Sequence, residues 1–246
     1  MGMRRTKREI PFRKIIPNMI TCGNVLCGML SVVLSFHEHF ALAGWLILAA
    51  VFFDFMDGKV ARSLGGSSAF GMELDSLADV VSFGVAPAMV VYGAALHGFF
   101  GITGALAAAF FALCGALRLA RFNVTHAPAG SFQGLPIPAG GLFLVSFVMG
   151  GVLLPPALFV AVVVGTGVLM VSNVPYGNLK KVRKGNVSRS KGAILSLFLL
   201  GLVVIFREKA PLLAIGIYVV SGFFRFDWGR WLSKKEEESS ASEEKR

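Results

Sequence analysis

Eight apolar runs, most of them near twenty residues long, dictate what this chain can become. They lie at roughly 17–36, 41–61, 72–95, 98–120, 138–154, 156–174, 191–206 and 210–226. A helix needs about 20 residues to cross a hydrocarbon core of ~30 Å. Inside lipid every backbone N–H and C=O must find its partner within the protein, so runs of this length cross as helices. The expected fold class is all-α: a polytopic integral membrane protein of about eight transmembrane helices. Composition agrees, since only 15% of residues are charged against about 25% in soluble domains. Pro155-Pro156 forces a tight turn between the fifth and sixth runs. The first run is too long for a signal peptide, and no small-residue cleavage site precedes a soluble domain.

Charge sets the orientation. Arg4, Arg5, Lys7, Arg8, Arg13 and Lys14 precede the first run, and Lys180, Lys181, Arg183, Lys184, Arg189 and Lys191 follow the sixth. Arg118 and Arg121 close the fourth. The opposite ends carry only His37-Glu38-His39, His97, the Pro-Pro turn and Arg207-Glu208-Lys209. The positive-inside bias makes the N-terminus cytoplasmic, and an even number of spans returns the C-terminus to the same side of the cell membrane. The net charge of +10 is thus topological and calls for no nucleic acid, while the same cations can hold anionic membrane lipids. Three parts follow: a basic cytoplasmic segment 1–16, a membrane-embedded domain 17–226, and a charged tail 227–246 that reads as disordered. Cys22, Cys27 and Cys114 lie within apolar runs without a CxxC pair and read as packing residues. Cysteine-accessibility labelling should reach Ser188→Cys from the cytoplasm and His97→Cys from outside. Labelling of both from one side would refute the topology.

Against this apolar background, four aspartates stand out. An aspartate at a span centre costs about 2.5–3.5 kcal/mol, less towards the ends. Asp54 and Asp57 fall in the second run, Asp75 and Asp79 in the third. Left uncompensated at depth, the four would cost on the order of 10 kcal/mol. Spacings of three and four put each pair on one helix face. Asp57 lies five residues before Arg62, where the second span ends, and Asp75 five after Phe70, where the third begins. In antiparallel helices this sets Asp57 level with Asp75, and Asp54 roughly level with Asp79. Four carboxylates then converge just below the cytoplasmic interface. Two divalent cations would cancel their charge, and oxygen-only ligands suit Mg²⁺ or Mn²⁺. Such a pair of metals suits phosphoryl transfer. Gly58, Ala61, Gly65, Gly66 and Gly71 leave room for a ligand near the backbone, and Arg62 offers a planar fork to a phosphate.

The run Asp54-Phe-Met-Asp57-Gly58-Lys-Val-Ala61-Arg62, eight residues, Gly71, three residues, Asp75, three residues, Asp79 resembles the CDP-alcohol phosphatidyltransferase signature, D-x2-D-G-x2-A-R-x8-G-x3-D-x3-D. Every fixed position matches. The resemblance implies a homodimer with a six-helix catalytic core and a CDP-lipid substrate. It also implies that Asp54 and Asp75 bridge two metals, that Asp57 and Asp79 complete one metal site each, and that Asp79 is the general base. Gly58, Arg62 and Ser68 match positions that contact the nucleotide and diphosphate. Pro17-Asn18-Met-Ile-Thr21-Cys-Gly-Asn24, Leu117-Arg118-Leu-Ala-Arg121-Phe122-Asn123, Phe132-Gln-Gly134-Leu135-Pro136-Ile-Pro138-Ala139, and Leu169-Met-Val-Ser172 before Tyr176 and Lys180 are similar to the phosphatidylserine synthase branch.

The expected reaction is transfer of a phosphatidyl group from CDP-diacylglycerol to L-serine, with release of CMP. Asn18, Thr21, Gly58, Ala61, Arg62, Ser68 and Gly71 are expected to face the CDP-lipid. Arg118, Arg121 and Asn123 are expected to face the acceptor. Arg121 is the first choice for serine's carboxylate, which an arginine fork fits, and Arg118 is the fallback if Arg121 faces lipid. Other readings are a sister enzyme using glycerol 3-phosphate, an inositol compound or an archaeal ether-lipid donor, and a cation transporter. Transport sites tend towards the midplane, at repeats with broken helices. Here the acids cluster at one end and no internal repeat is visible.

Overall fold

The computed structural model describes residues 12–66, 68–98, 102–125, 134–152, 154–174, 176, 189–224, 226 and 231. The basic residues Arg4–Arg8, the loop from Lys180 to Ser188 and the tail from 232 on lie outside the described residues.

The architecture is all-helical. α1 is Phe12–Phe36 and α2 is Phe40–Ser63. α3 is one continuous rod, Ala69–Leu96. It is α-helical to Asp79, π-helical over Val80–Val85, α-helical again over Ala86–Val91 and π-helical over Tyr92–Leu96. α4 is Thr103–Thr125, α5 Ile137–Met149, α6 Pro156–Val171, α7 Arg189–Phe206 and α8 Ala210–Phe223. The segments Ile15–Phe36, Phe40–Ser63, Ala69–Leu96 and Thr103–Val124 are long and apolar enough to cross a membrane, and Ile137–Met149 and Pro156–Val171 are shorter apolar helices. The chain is a polytopic membrane protein. At 1.5 Å per residue, the 13 residues of α5 reach about 20 Å, short of the ~30 Å core. α5 ends at Met149 with Gly150 as its C-cap and Gly151 at φ +61°, so Pro155-Pro156 starts the next helix but does not end the one before it. Pro155 is the N-cap of α6 and its carbonyl takes the Phe159 N–H at 2.9 Å.

Burial runs opposite to that of a soluble protein. Large apolar side chains such as Leu26, Met29, Phe52, Phe55, Leu106 and Leu197 are exposed on the outer faces, where lipid is the solvent. Thr21, Asn24, Ser31, Ser35, Asp57, Ser82 and Arg118 are buried. α1 packs most extensively on α2, and α4 on α6. α5 lies at the centre, touching α2, α3 and α8. Phe83, Phe111, Ile137, Leu144, Phe159 and Met170 fill the core between these helices.

Two element boundaries differ from the sequence reading and bear on the site. α1 begins at Phe12, so Pro17 sits inside it rather than at its start. The fourth span begins at Thr103, not near 98, because Gly98 turns at φ +83°, and it runs on to Thr125. Arg118, Arg121 and Asn123 therefore all lie on the helix.

Candidate active site

The end of α2 and the start of α3 build the site. α2 stops where Gly65 and Gly66 adopt φ of +101° and +107°, a conformation only glycine enters cheaply. The Gly66 N–H bonds the Ala61 carbonyl at 2.9 Å, which closes the last turn. Ser68 then caps α3, its hydroxyl accepting the Gly71 N–H at 3.0 Å. This hairpin returns the chain antiparallel to α2, so Asp75 comes back past Asp57.

Carboxylate oxygens of Asp54, Asp57 and Asp75 lie within 4.8 Å of one another. Asp57 is buried at 5% exposure, and Asp54 and Asp75 are half-buried. The Thr21 hydroxyl sits between two acceptors, 2.7 Å from Asp57 Oδ2 and 3.0 Å from the Pro17 carbonyl, and so ties α1 to the triad. At an effective dielectric of about 20, two carboxylates 4.8 Å apart repel by roughly 3.5 kcal/mol. Three such pairs need a cation, and a cluster of hard oxygens this tight fits a divalent metal ion.

An open cleft adjoins the triad, lined by Asn18 and Thr21 of α1, Asp57, Gly58 and Ala61 of α2, and Ser68, Gly71 and Asp75 beyond the hairpin. Six of the seven residues expected to face the CDP-lipid are thus brought to one cavity. The seventh, Arg62, is exposed and folds back over Gly58. Its Nη1 lies 3.3 Å from where a Cβ on Gly58 would stand. A Cβ on Gly71 would meet Asn18 Oδ1 at 2.8 Å. Both glycines keep the approach to the cleft clear.

Asp79 does not join the tight triad. It sits at the last α-helical position of α3 before the π-helical segment, and it feels the charge of Arg118 from α4. Arg118 is buried at 8% exposure. Its charge also acts on Tyr218 of α8, whose ring centroid is 5.7 Å from that of Tyr176. The Tyr176 hydroxyl donates to the Val219 carbonyl at 3.1 Å. Sequence reasoning did not find Tyr218, because only the tertiary fold brings α8 to α4. Arg121 is exposed and donates to the Val171 carbonyl at 3.2 Å and to Asn173 Oδ1 at 2.8 Å. Asn123 donates to Ser76 Oγ at 3.1 Å and ties α4 to α3. Of the three residues expected at the acceptor, Arg118 is the buried one, and its charge acts on Asp79.

The family model for CDP-alcohol phosphatidyltransferase matches residues 14–174, the stretch that contains the triad, the cleft and Arg118. The chain belongs to the CDP-alcohol phosphatidyltransferase family. Within this family it is 38% identical over 223 residues to the CDP-diacylglycerol–serine O-phosphatidyltransferase of Helicobacter pylori, covering 86% of this chain and 91% of that protein. The protein of the same name from Bacillus subtilis is 39% identical over 178 residues, 72% of this chain and 97% of its own length. The archaetidylserine synthase of Methanothermobacter thermautotrophicus is 40% identical over 164 residues, 65% of this chain and 69% of that protein.

Proposed function

We propose that this chain transfers the phosphatidyl group of CDP-diacylglycerol to L-serine, giving phosphatidylserine and CMP. The carrying observation is the Asp54–Asp57–Asp75 triad beside an open cleft, in a family member whose relatives are named for this reaction. The triad would hold Mg²⁺ or Mn²⁺, with Asp79 completing a second site. Bound there, such ions supply positive charge to the diphosphate and to the departing phosphate oxygen. Asn18, Thr21, Gly58, Ala61, Ser68 and Gly71 form the nucleotide side of the cleft, and Arg62 meets a phosphate with its fork. Asp79 takes the proton of the serine hydroxyl, general-base work worth typically ~10²–10⁴-fold. The serine oxygen bonds to the lipid-bearing β-phosphorus as that atom's bond to the bridging oxygen breaks, and CMP leaves with the electron pair. Arg118, beside Asp79, receives serine's carboxylate. The acyl chains stay in the bilayer. In this reading the protein works as a homodimer of the cell membrane, with both termini and the site facing the cytoplasm. The orientation rests on the positive-inside bias of the sequence.

The test is purified protein with CDP-diacylglycerol and labelled serine, with glycerol 3-phosphate as competitor and products identified by mass spectrometry. Phosphatidylserine with equimolar CMP is expected, whereas a phosphorylated product from glycerol 3-phosphate would reassign the acceptor. The likeness to an archaetidylserine synthase makes the donor backbone the second variable, read by adding the ether-linked donor to the same assay. A cation flux in liposomes without CMP release would replace the enzyme by a transporter.

Stereochemistry separates one displacement from two. No side chain in the cleft is assigned as a nucleophile, so one in-line step should invert configuration at phosphorus. Retention with a chirally labelled donor would require a phosphatidyl-enzyme intermediate and overturn this mechanism.

A further inference from the structure

Asn24 is fully buried, at 0% exposure. Neither its Oδ1 nor its Nδ2 has a hydrogen-bond partner among the described residues. Buried amides are nearly always hydrogen-bonded, and an exception calls for an explanation such as a missing ligand or water. Nothing in the reaction as derived so far uses Asn24.

Thr21, one turn earlier than Asn24 on the same face of α1, meets Asp57. α2 runs antiparallel to α1, so Asn24, three residues beyond Thr21, is level with Asp54, three residues before Asp57. The Asn24 backbone carbonyl accepts the Ser82 hydroxyl at 2.9 Å, and Ser82 lies three residues beyond Asp79. Gly28 permits this close approach, since a Cβ there would lie 2.8 Å from Ser82 Cα. α1 and α3 run in the same direction. With Gly28 against Ser82, Asn24, four residues earlier on the parallel helix, stands level with Ala78 and within one residue's rise of Asp79. α1 and α4 both pack on Val80–Val85, so Asn24 and Arg118 approach the inner end of the site from two different helices.

The chemistry of the amide selects the ligand. It offers two N–H donors and one carbonyl acceptor, and it brings no charge to a site already crowded with carboxylates. A diphosphate offers only acceptors and would leave the carbonyl unused. A small zwitterionic alcohol offers an ammonium and a hydroxyl as donors and a carboxylate as acceptor. Asn24 is also absent from the lining of the nucleotide cleft.

We propose that Asn24 is a specificity-determining residue for the acceptor, hydrogen-bonding a small zwitterionic alcohol on the α1 side of Asp79. The proposal rests on the serine reading given above.

The experiment is steady-state kinetics of the full-length, metal-loaded protein in lipid–detergent micelles, with serine and CDP-diacylglycerol each varied, for Asn24→Ala and Asn24→Asp. Wild type is assayed first. If it makes no phosphatidylserine, the functional reading fails before any variant is made. If it does, Asn24→Ala should raise the serine KM by about tenfold, the order expected from losing one or two hydrogen bonds. The KM for CDP-diacylglycerol should stay within about twofold in the same comparison. Asn24→Asp keeps the shape, loses both N–H donors and opposes the carboxylate, so it should raise the serine KM at least as far. It carries the test if the alanine variant does not fold. An unchanged serine KM, or an equal rise in both KM values, overturns the proposal and leaves Asn24 as a support for the aspartates.

Discussion

Asp57→Ala is expected to abolish turnover with every acceptor alcohol, a loss beyond the ~10²–10³-fold typical of removing one electrostatic contact to a transition state. Asp57 is the most buried member of the triad, and α1 holds it through the Thr21 hydroxyl at 2.7 Å. The substitution should leave the fold intact. Thr21 keeps its second acceptor, the Pro17 carbonyl at 3.0 Å, and removing one of three carboxylates within 4.8 Å relieves repulsion of roughly 3.5 kcal/mol per pair. Two readouts follow besides activity. In chelator the variant should melt no lower than the wild type. Added Mg²⁺ or Mn²⁺ should raise the melting temperature of the wild type, as any ligand of the folded state does, and should raise that of the variant much less. A variant that loses turnover while keeping the full metal-dependent shift would remove Asp57 from the metal site.

Much of this arrangement was legible in the sequence because it depends on short-range periodicity. Asp54 and Asp57 share a face by their spacing, Gly65 and Gly66 mark the hairpin, and counting residues from that turn sets Asp57 level with Asp75. The structure brings those three acids together. The same counting set Asp79 level with Asp54, yet Asp79 stands apart from the tight cluster. Counting gives height along the axis and says less about which way a residue faces. Asp79 lies where α-helix passes into π-helix, and the run Val-Val-Ser-Phe-Gly-Val carries no local signal for that change. Its other neighbour, Arg118, comes from α4, about forty residues on. The sequence reading put Arg121 first and Arg118 second, and the local pattern does not show which of the two is buried. Both read as the end of a span, whereas α4 continues to Thr125. On a continuing helix, three residues turn the direction by about 60° short of a full circle. That is enough to bury one arginine and expose the other.

That difference gives the second large effect. Arg118→Ala should lower kcat/KM for serine by about ten- to more than a hundredfold, the equivalent of a charge-assisted hydrogen bond of roughly 1.5–3 kcal/mol. Arg121→Ala should change it by less than about threefold, because its bonds to the Val171 carbonyl and Asn173 are exposed ties between α4 and the end of α6 and are not made to the substrate. Arg118 is buried and its charge reaches Asp79, so a carboxylate held there would bring the serine hydroxyl to the group proposed to take its proton. Arg118→Lys keeps the charge but loses the planar fork that meets a carboxylate in two places, and should recover only part of the loss. A purely structural role would appear as poor yield or a lowered melting temperature with unchanged kinetics per folded molecule. Kinetics of purified, monodisperse variants with both substrates varied decide the matter. If Arg121→Ala carries the serine defect, or if Arg118→Ala weakens CDP-diacylglycerol as much as serine, then Arg118 is no carboxylate receptor. In the second case it would be a ligand of the diphosphate.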